Sequence, residues 1–104
     1  MQMLTITENA AKQILESARQ TESEGMPLRV AAKKQDDGSL EYAMGFDHKG
    51  EYDTEFVSNG INVLVSDFSK ELIKDATLDY VELNPGSHEF IFVNPNDPNH
   101  TPPQ

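Results

Sequence analysis

The chain contains no cysteine. That absence removes disulfides, thiolate nucleophiles, cysteine-ligated zinc and conventional iron–sulfur ligation together. Long apolar runs are missing too. The longest compact stretch, Ile61 to Val65, is interrupted by Asn62 and falls far short of the ~20 residues that span a bilayer. Positive charge is scarce: 8 Lys and Arg stand against 18 Asp and Glu, a formal net charge of −10. Only Lys33 and Lys34 cluster, and Asp36 and Asp37 sit beside them. Nucleic-acid phosphates and anionic membrane surfaces demand clustered cations, so neither is expected as a partner. The opening "MQMLTITENAAK" has no basic segment leading into an apolar block, so no signal peptide is read and a cytoplasmic protein is expected. Asn99-His100-Thr101 matches a glycosylation acceptor, which carries no weight without a secretion signal.

What is present suffices for one domain. The chain has 104 residues, 37% of them apolar, enough for a single modest core. "MLTIT" alternates like a short strand, and Thr7 is placed to cap the helix that follows. Ala10, Ala11, Ile14, Leu15 and Ala18 share one helical face, with Lys12, Gln13, Glu16, Arg19 and Gln20 opposite. The helix is expected to fade through "TESEG" and end at Gly25. "MPLRVAAKK" and "LEYAMGF" read as two strands joined by the acidic turn Asp36-Asp37-Gly38-Ser39. "DHKGEYD", residues 47–53, is a polar loop. "EFVSNGINVLVS" is a hairpin around Asn59-Gly60, the favoured pair for a type I′ turn. "DFSKELIKD" is a short helix capped by Asp67 or Ser69, with Phe68, Leu72 and Ile73 inward. "ATLDYVEL" and "HEFIFVNP" are strands flanking an "NPGS" turn.

The predicted architecture is α+β, mainly β: a sandwich of about seven mostly antiparallel strands with one N-terminal helix and one short helix. One domain is expected over residues 1–97, with the Pro-rich residues 98–104 as a flexible tail. Ile14, Leu15, Val30, Tyr42, Met44, Val63, Val65, Leu72, Val81, Phe90 and Phe92 are the predicted core.

Candidate chemistry is thin. His48, His88 and His100 are far apart in sequence. His48 has Asp47, Glu51 and Asp53 nearby, but the loop lacks the spacing of a calcium loop and reads as a solvated charged loop. No serine has a G-x-S-x-G context, and the glycines form neither a P-loop nor a dinucleotide fingerprint. No enzyme is expected.

The string "DFSKELIKDATLDYVELNPGSHEFIFVNPN", residues 67–96, resembles the A-type iron–sulfur carrier family, the HesB/IscA-like domain. The matching elements are Ser69, Leu72, Asp79-Tyr80-Val81, Phe90, Phe92 and Asn94-Pro95-Asn96. "LTITENAAKQI" and "LRVAAKKQDDGSLEYAMGF" are similar to the family's opening strand and helix and its central hairpin. In cluster-carrying relatives the hairpin tip bears Gly-Cys-x-Gly, whose cysteine falls at or beside Asp37. A closing Cys-Gly-Cys falls at Thr101 and Pro103. All three cysteines are absent here.

The chain is therefore similar to the cysteine-free, DsrR-type branch associated with dissimilatory sulfur metabolism. The resemblance implies a non-catalytic protein without an iron–sulfur cluster, acting through a protein partner or as a regulator in sulfur or iron–sulfur metabolism. A monomer is expected, since no shared ligands hold copies together. The candidate interaction surface is Asp36, Asp37, Glu41, His48, Glu51 and Asp53. The alternative is iron binding and delivery through Asp37, Glu41, His48 and His100.

Overall fold

The computed structural model describes residues 4–97; the predicted tail 98–104, with His100, Thr101 and Pro103, lies outside the described residues. Seven strands and two helices follow in the order β1 (Leu4–Ile6), α1 (Glu8–Gln20), β2 (Leu28–Lys34), β3 (Leu40–Phe46), β4 (Asp53–Ser58), β5 (Ile61–Ser66), α2 (Lys70–Ile73), β6 (Ala76–Asn84) and β7 (Ser87–Val93). They form two sheets, a three-stranded β1-β6-β7 and a four-stranded β3-β2-β5-β4. The three local hairpins, β2–β3, β4–β5 and β6–β7, are antiparallel. The two pairings that knit them together, β1–β6 and β2–β5, are parallel.

Local chemistry starts α1 and turns the β4–β5 hairpin where expected. Thr7 caps α1 by accepting the Ala10 N–H at 3.2 Å. Its own hydroxyl donates to Asp79 Oδ1 at 2.6 Å, so the helix start is fastened to β6. Asn59 (φ 48°) and Gly60 (φ 80°) both adopt the left-handed conformations of the predicted tight turn. The helix ends earlier than predicted, at Gln20, with Thr21 as its C-cap, and Gly25 lies in the loop beyond.

One core fills the space between the sheets. Leu4, Ile6, Ile14, Val30, Val63, Val65, Ile73 and Leu78 are buried there, with Tyr42, Leu72, Phe90 and Phe92 half-buried against them. Four predicted inward residues are corrected. Leu15 is 59% exposed: at about 100° per residue it sits at the margin of the stripe formed by Ala10, Ala11, Ile14 and Ala18. Phe68 is 80% exposed, because it precedes α2 instead of lying on the helix's inner face. Met44 is 36% exposed on β3, a sheet edge where a partner flanks only one side. Val81 is half-exposed, where the β6–β7 hairpin runs out beyond the core. Leu64 is fully buried although it alternates away from Val63 and Val65; β5 is a central strand, covered on both faces.

Candidate functional site

The β2–β3 hairpin presents two separate polar patches, one at each end. At the tip, Gln35 N–H donates to Ser39 O at 2.8 Å and Gly38 N–H to Gln35 O at 3.0 Å. Gly38 (φ +89°) takes the position that an L side chain would strain. Asp37 Oδ1 accepts both the Ser39 N–H at 3.0 Å and the Ser39 hydroxyl at 2.6 Å. Those bonds hold its carboxyl below the usual carboxylate range, with the hydroxyl the larger cause. Gln35 Nε2 donates to Glu41 Oε2, and Lys33 is the register partner of Glu41. Asp36, Asp37 and Glu41 are exposed.

The residues after β7 close against this tip. Asn94 is fully buried. Its Nδ2 donates to Leu72 O at 2.7 Å and to the Tyr42 hydroxyl at 3.1 Å, and its Oδ1 accepts the Asn96 N–H at 2.9 Å. The Tyr42 hydroxyl in turn donates to Asp97 Oδ2 at 3.0 Å. Burial, ahead of the neighbouring Asp97, pushes this phenol up to about 12, so it stays protonated. The Tyr42 ring stacks on Phe92 with centroids 4.3 Å apart. Asn96 Nδ2 donates to Lys74 O at 2.8 Å. A groove of about 400 Å³ remains between tip and turn, lined by residues that include Lys34, Asp37, Leu72, Asn96 and Asp97.

The other patch is the 47–52 loop. Arg29, on β2, grips it: its guanidinium meets Asp53 Oδ1 and Oδ2 at 2.6 Å each, Asp47 Oδ2 at 2.7 Å and His48 O at 3.2 Å. Arg29 pulls the Asp53 carboxyl down to about 2 and lowers that of Asp47. Asp53 also accepts the Gly50 N–H at 2.6 Å.

The six sequence-predicted surface residues thus fall into two groups. Asp36, Asp37 and Glu41 share the tip, while His48, Glu51 and Asp53 lie at the far end of β3, roughly 20 Å away along seven residues of extended chain. The Asp53 side chain is only 4% exposed beneath Arg29, so this carboxylate faces inward to its cation and not outward. The proposed iron ligands Asp37 and Glu41 are separated from His48 by the same length of strand, which breaks up that set; His100 lies outside the described residues. Among the described residues, no three His, Asp or Glu side chains converge as a metal-holding group.

The groove beside the tip does not fit an iron–sulfur cluster. It offers carboxylates and an amide, part of whose capacity Ser39 and the Lys74 carbonyl already take, together with the cation of Lys34. Cluster iron requires soft thiolates.

Sequence reasoning missed Arg29. Its only signal was a lone arginine on the outward side of an alternating strand in a chain short of cations. It also gave Asn94 no role, because the buried bonds that define it come from residues 22 and 52 positions away.

A family described as iron-sulphur cluster biosynthesis matches residues 2–99. A Bacillus subtilis protein named SufA, itself uncharacterized, is 38% identical over 94 residues, covering 89% of this chain and 78% of that protein. The putative iron-sulfur cluster insertion protein ErpA of an Azoarcus species is 31% identical over 96 residues, covering 91% and 82%. Among solved structures, Escherichia coli SufA superposes with a TM-score of 0.74 over 95% of this chain and 86% of that one, at 24% identity. IscA with a [2Fe-2S] cluster gives 0.70 over 88% and 85%, at 22% identity. At such identities these two likenesses speak to the fold.

Proposed function

The chain belongs to the iron–sulfur cluster biosynthesis family, and from that premise we propose that it is a non-catalytic, cluster-free member that works by binding a protein partner. The observation that carries this reading is the hairpin tip. An intact carrier fold sets the tip against the turn after β7, yet the chain has no cysteine anywhere. The tip instead carries Asp36, Asp37 and Glu41 on a rigid two-stranded support, an arrangement suited to recognition. Net charge of −10 favours a basic partner. The cellular setting we propose is sulfur or iron–sulfur metabolism in the cytoplasm, with the DsrR-type resemblance of "RVAAKKQDDGSLEYAMGFD" and "TLDYVELNPGSHEFIFVNPNDP" pointing to dissimilatory sulfur oxidation.

Anaerobic incubation with ferrous iron and sulfide tests the cluster-free reading. The expected result is no stable chromophore after desalting. A stoichiometric species with visible charge-transfer absorption would overturn it.

A further inference from the structure

Among the described residues the outer edge of β3 is open, and which of its backbone groups are open follows from the two ends of the hairpin. Gln35 N–H bonds Ser39 O at the tip, and Asp47 N–H bonds Pro27 O at 3.1 Å at the base. Closed and open pairs alternate along an antiparallel ladder. The closed pairs between those ends are therefore Lys33–Glu41, Ala31–Ala43 and Arg29–Gly45 in the observed register. It follows that Leu40, Tyr42, Met44 and Phe46 direct their N–H and C=O groups away from β2. On that side β3 has no strand neighbour among the described residues.

Folded proteins usually guard such an edge with charge, proline, a bulge or brevity. β3 has seven residues, no proline, an unbroken register and one charge, Glu41. The other edges are better guarded. β1 has three residues, β7 pairs through a register irregularity, and β4 is shorter, six residues with Glu55 in its first half.

We propose that the free edge of β3 is a strand-addition site for an extended, basic segment of a partner protein. The main chain of that segment pairs with Tyr42 and Met44, and small or β-branched side chains lie beside Ala43 and Gly45, both exposed and offering little bulk. Lysine or arginine at one end meets Glu41, Asp36 and Asp37. Charge selects this occupant over a second copy. Two copies paired antiparallel about Ala43 would join two bodies of net charge −10, and in the 47–51 loop that meets each acidic tip Glu51 offsets Lys49. The inference rests on the partner-binding reading above and adds where the partner's backbone goes.

The test is amide hydrogen exchange by NMR on the full chain. The probe is a capped seven-residue peptide of alternating threonine and valine with two lysines at one end; its control carries glutamates for the lysines. In the free protein Ala43 and Gly45 amides should exchange slowly and those of Tyr42 and Met44 rapidly. The lysine peptide should slow Tyr42 and Met44 by about tenfold or more, and the glutamate peptide should not. Glu41→Lys should cut the lysine peptide's effect by about tenfold while leaving Ala43 protected. Met44→Pro removes an N–H that faces away from the ladder and should abolish the peptide effect at Tyr42.

No slowing by the lysine peptide, or equal slowing by both peptides, would overturn the proposal. Slowing of Tyr42 and Met44 that grows with protein concentration alone would overturn it too, assigning the edge to a second copy. None of these outcomes bears on cluster formation, so the cluster-free reading above stands or falls separately.

Discussion

Asn94 joins the last strand to the rest of the molecule. It is fully buried, and its amide serves Leu72 O, the Tyr42 hydroxyl and the Asn96 N–H at once. Asn94→Ala should remove three hydrogen bonds at once, at about 1–3 kcal/mol of stability, measurable by urea denaturation. Arg29 makes a different kind of bond, and its effect is tied to pH. Asp53 titrates near 2 in the folded protein against an ordinary 3.8. A lowered folded-state value means the unfolded chain binds the proton first as pH drops. The pairing therefore stabilises fully above 3.8 and is lost as pH falls toward 2. The melting-temperature gap between the natural protein and Arg29→Met should be widest at neutral pH and should narrow across that acid window. A gap independent of pH would mean that the arginine acts only through packing.

The hairpins were legible in the sequence because their signals are local. Asn59-Gly60 dictates a two-residue turn, and "LRVAAKK" and "LEYAMGF" flank their own connection. The parallel pairings were not, since β1 meets β6 across some seventy residues and nothing in "LTI" names its neighbour. Ser69 shows the same limit. As the residue before a helix it reads as a cap, but its hydroxyl makes no capping bond. It faces the Ala32 backbone instead, near N at 3.2 Å and O at 3.3 Å, and pins α2 to β2.

At the candidate site, the acidic tip was readable as turn chemistry, while the Arg29 clasp and the Asn94 junction required the tertiary structure. Asp36→Ser with Asp37→Ser replaces exposed side chains and keeps Gly38, so stability should change by less than ~0.5 kcal/mol. Binding to a basic partner should weaken, and the loss should be smaller at high salt, where charge is already screened. Full retention of binding at low salt would move the recognition surface elsewhere, first to the face of α1 bearing Lys12, Glu16 and Arg19.

Across the whole molecule, the parallel pairing of β1 with β6 interlaces the beginning of the described chain with its end. Leu4, Thr5 and Ile6 lie beside Ala76, Thr77 and Leu78, and α1 packs mainly on β6. A fragment ending at Ser66 should therefore lack the cooperative thermal transition of the full chain by circular dichroism, though it holds all four strands of the larger sheet. There is a consequence for synthesis. On the ribosome, β1 waits for β6, which begins some seventy residues later, so the three-stranded sheet closes only after all four strands of the other sheet have been made. Throughout that interval the Val63-Leu64-Val65 run, covered on both sides in the finished protein, is available to chaperones.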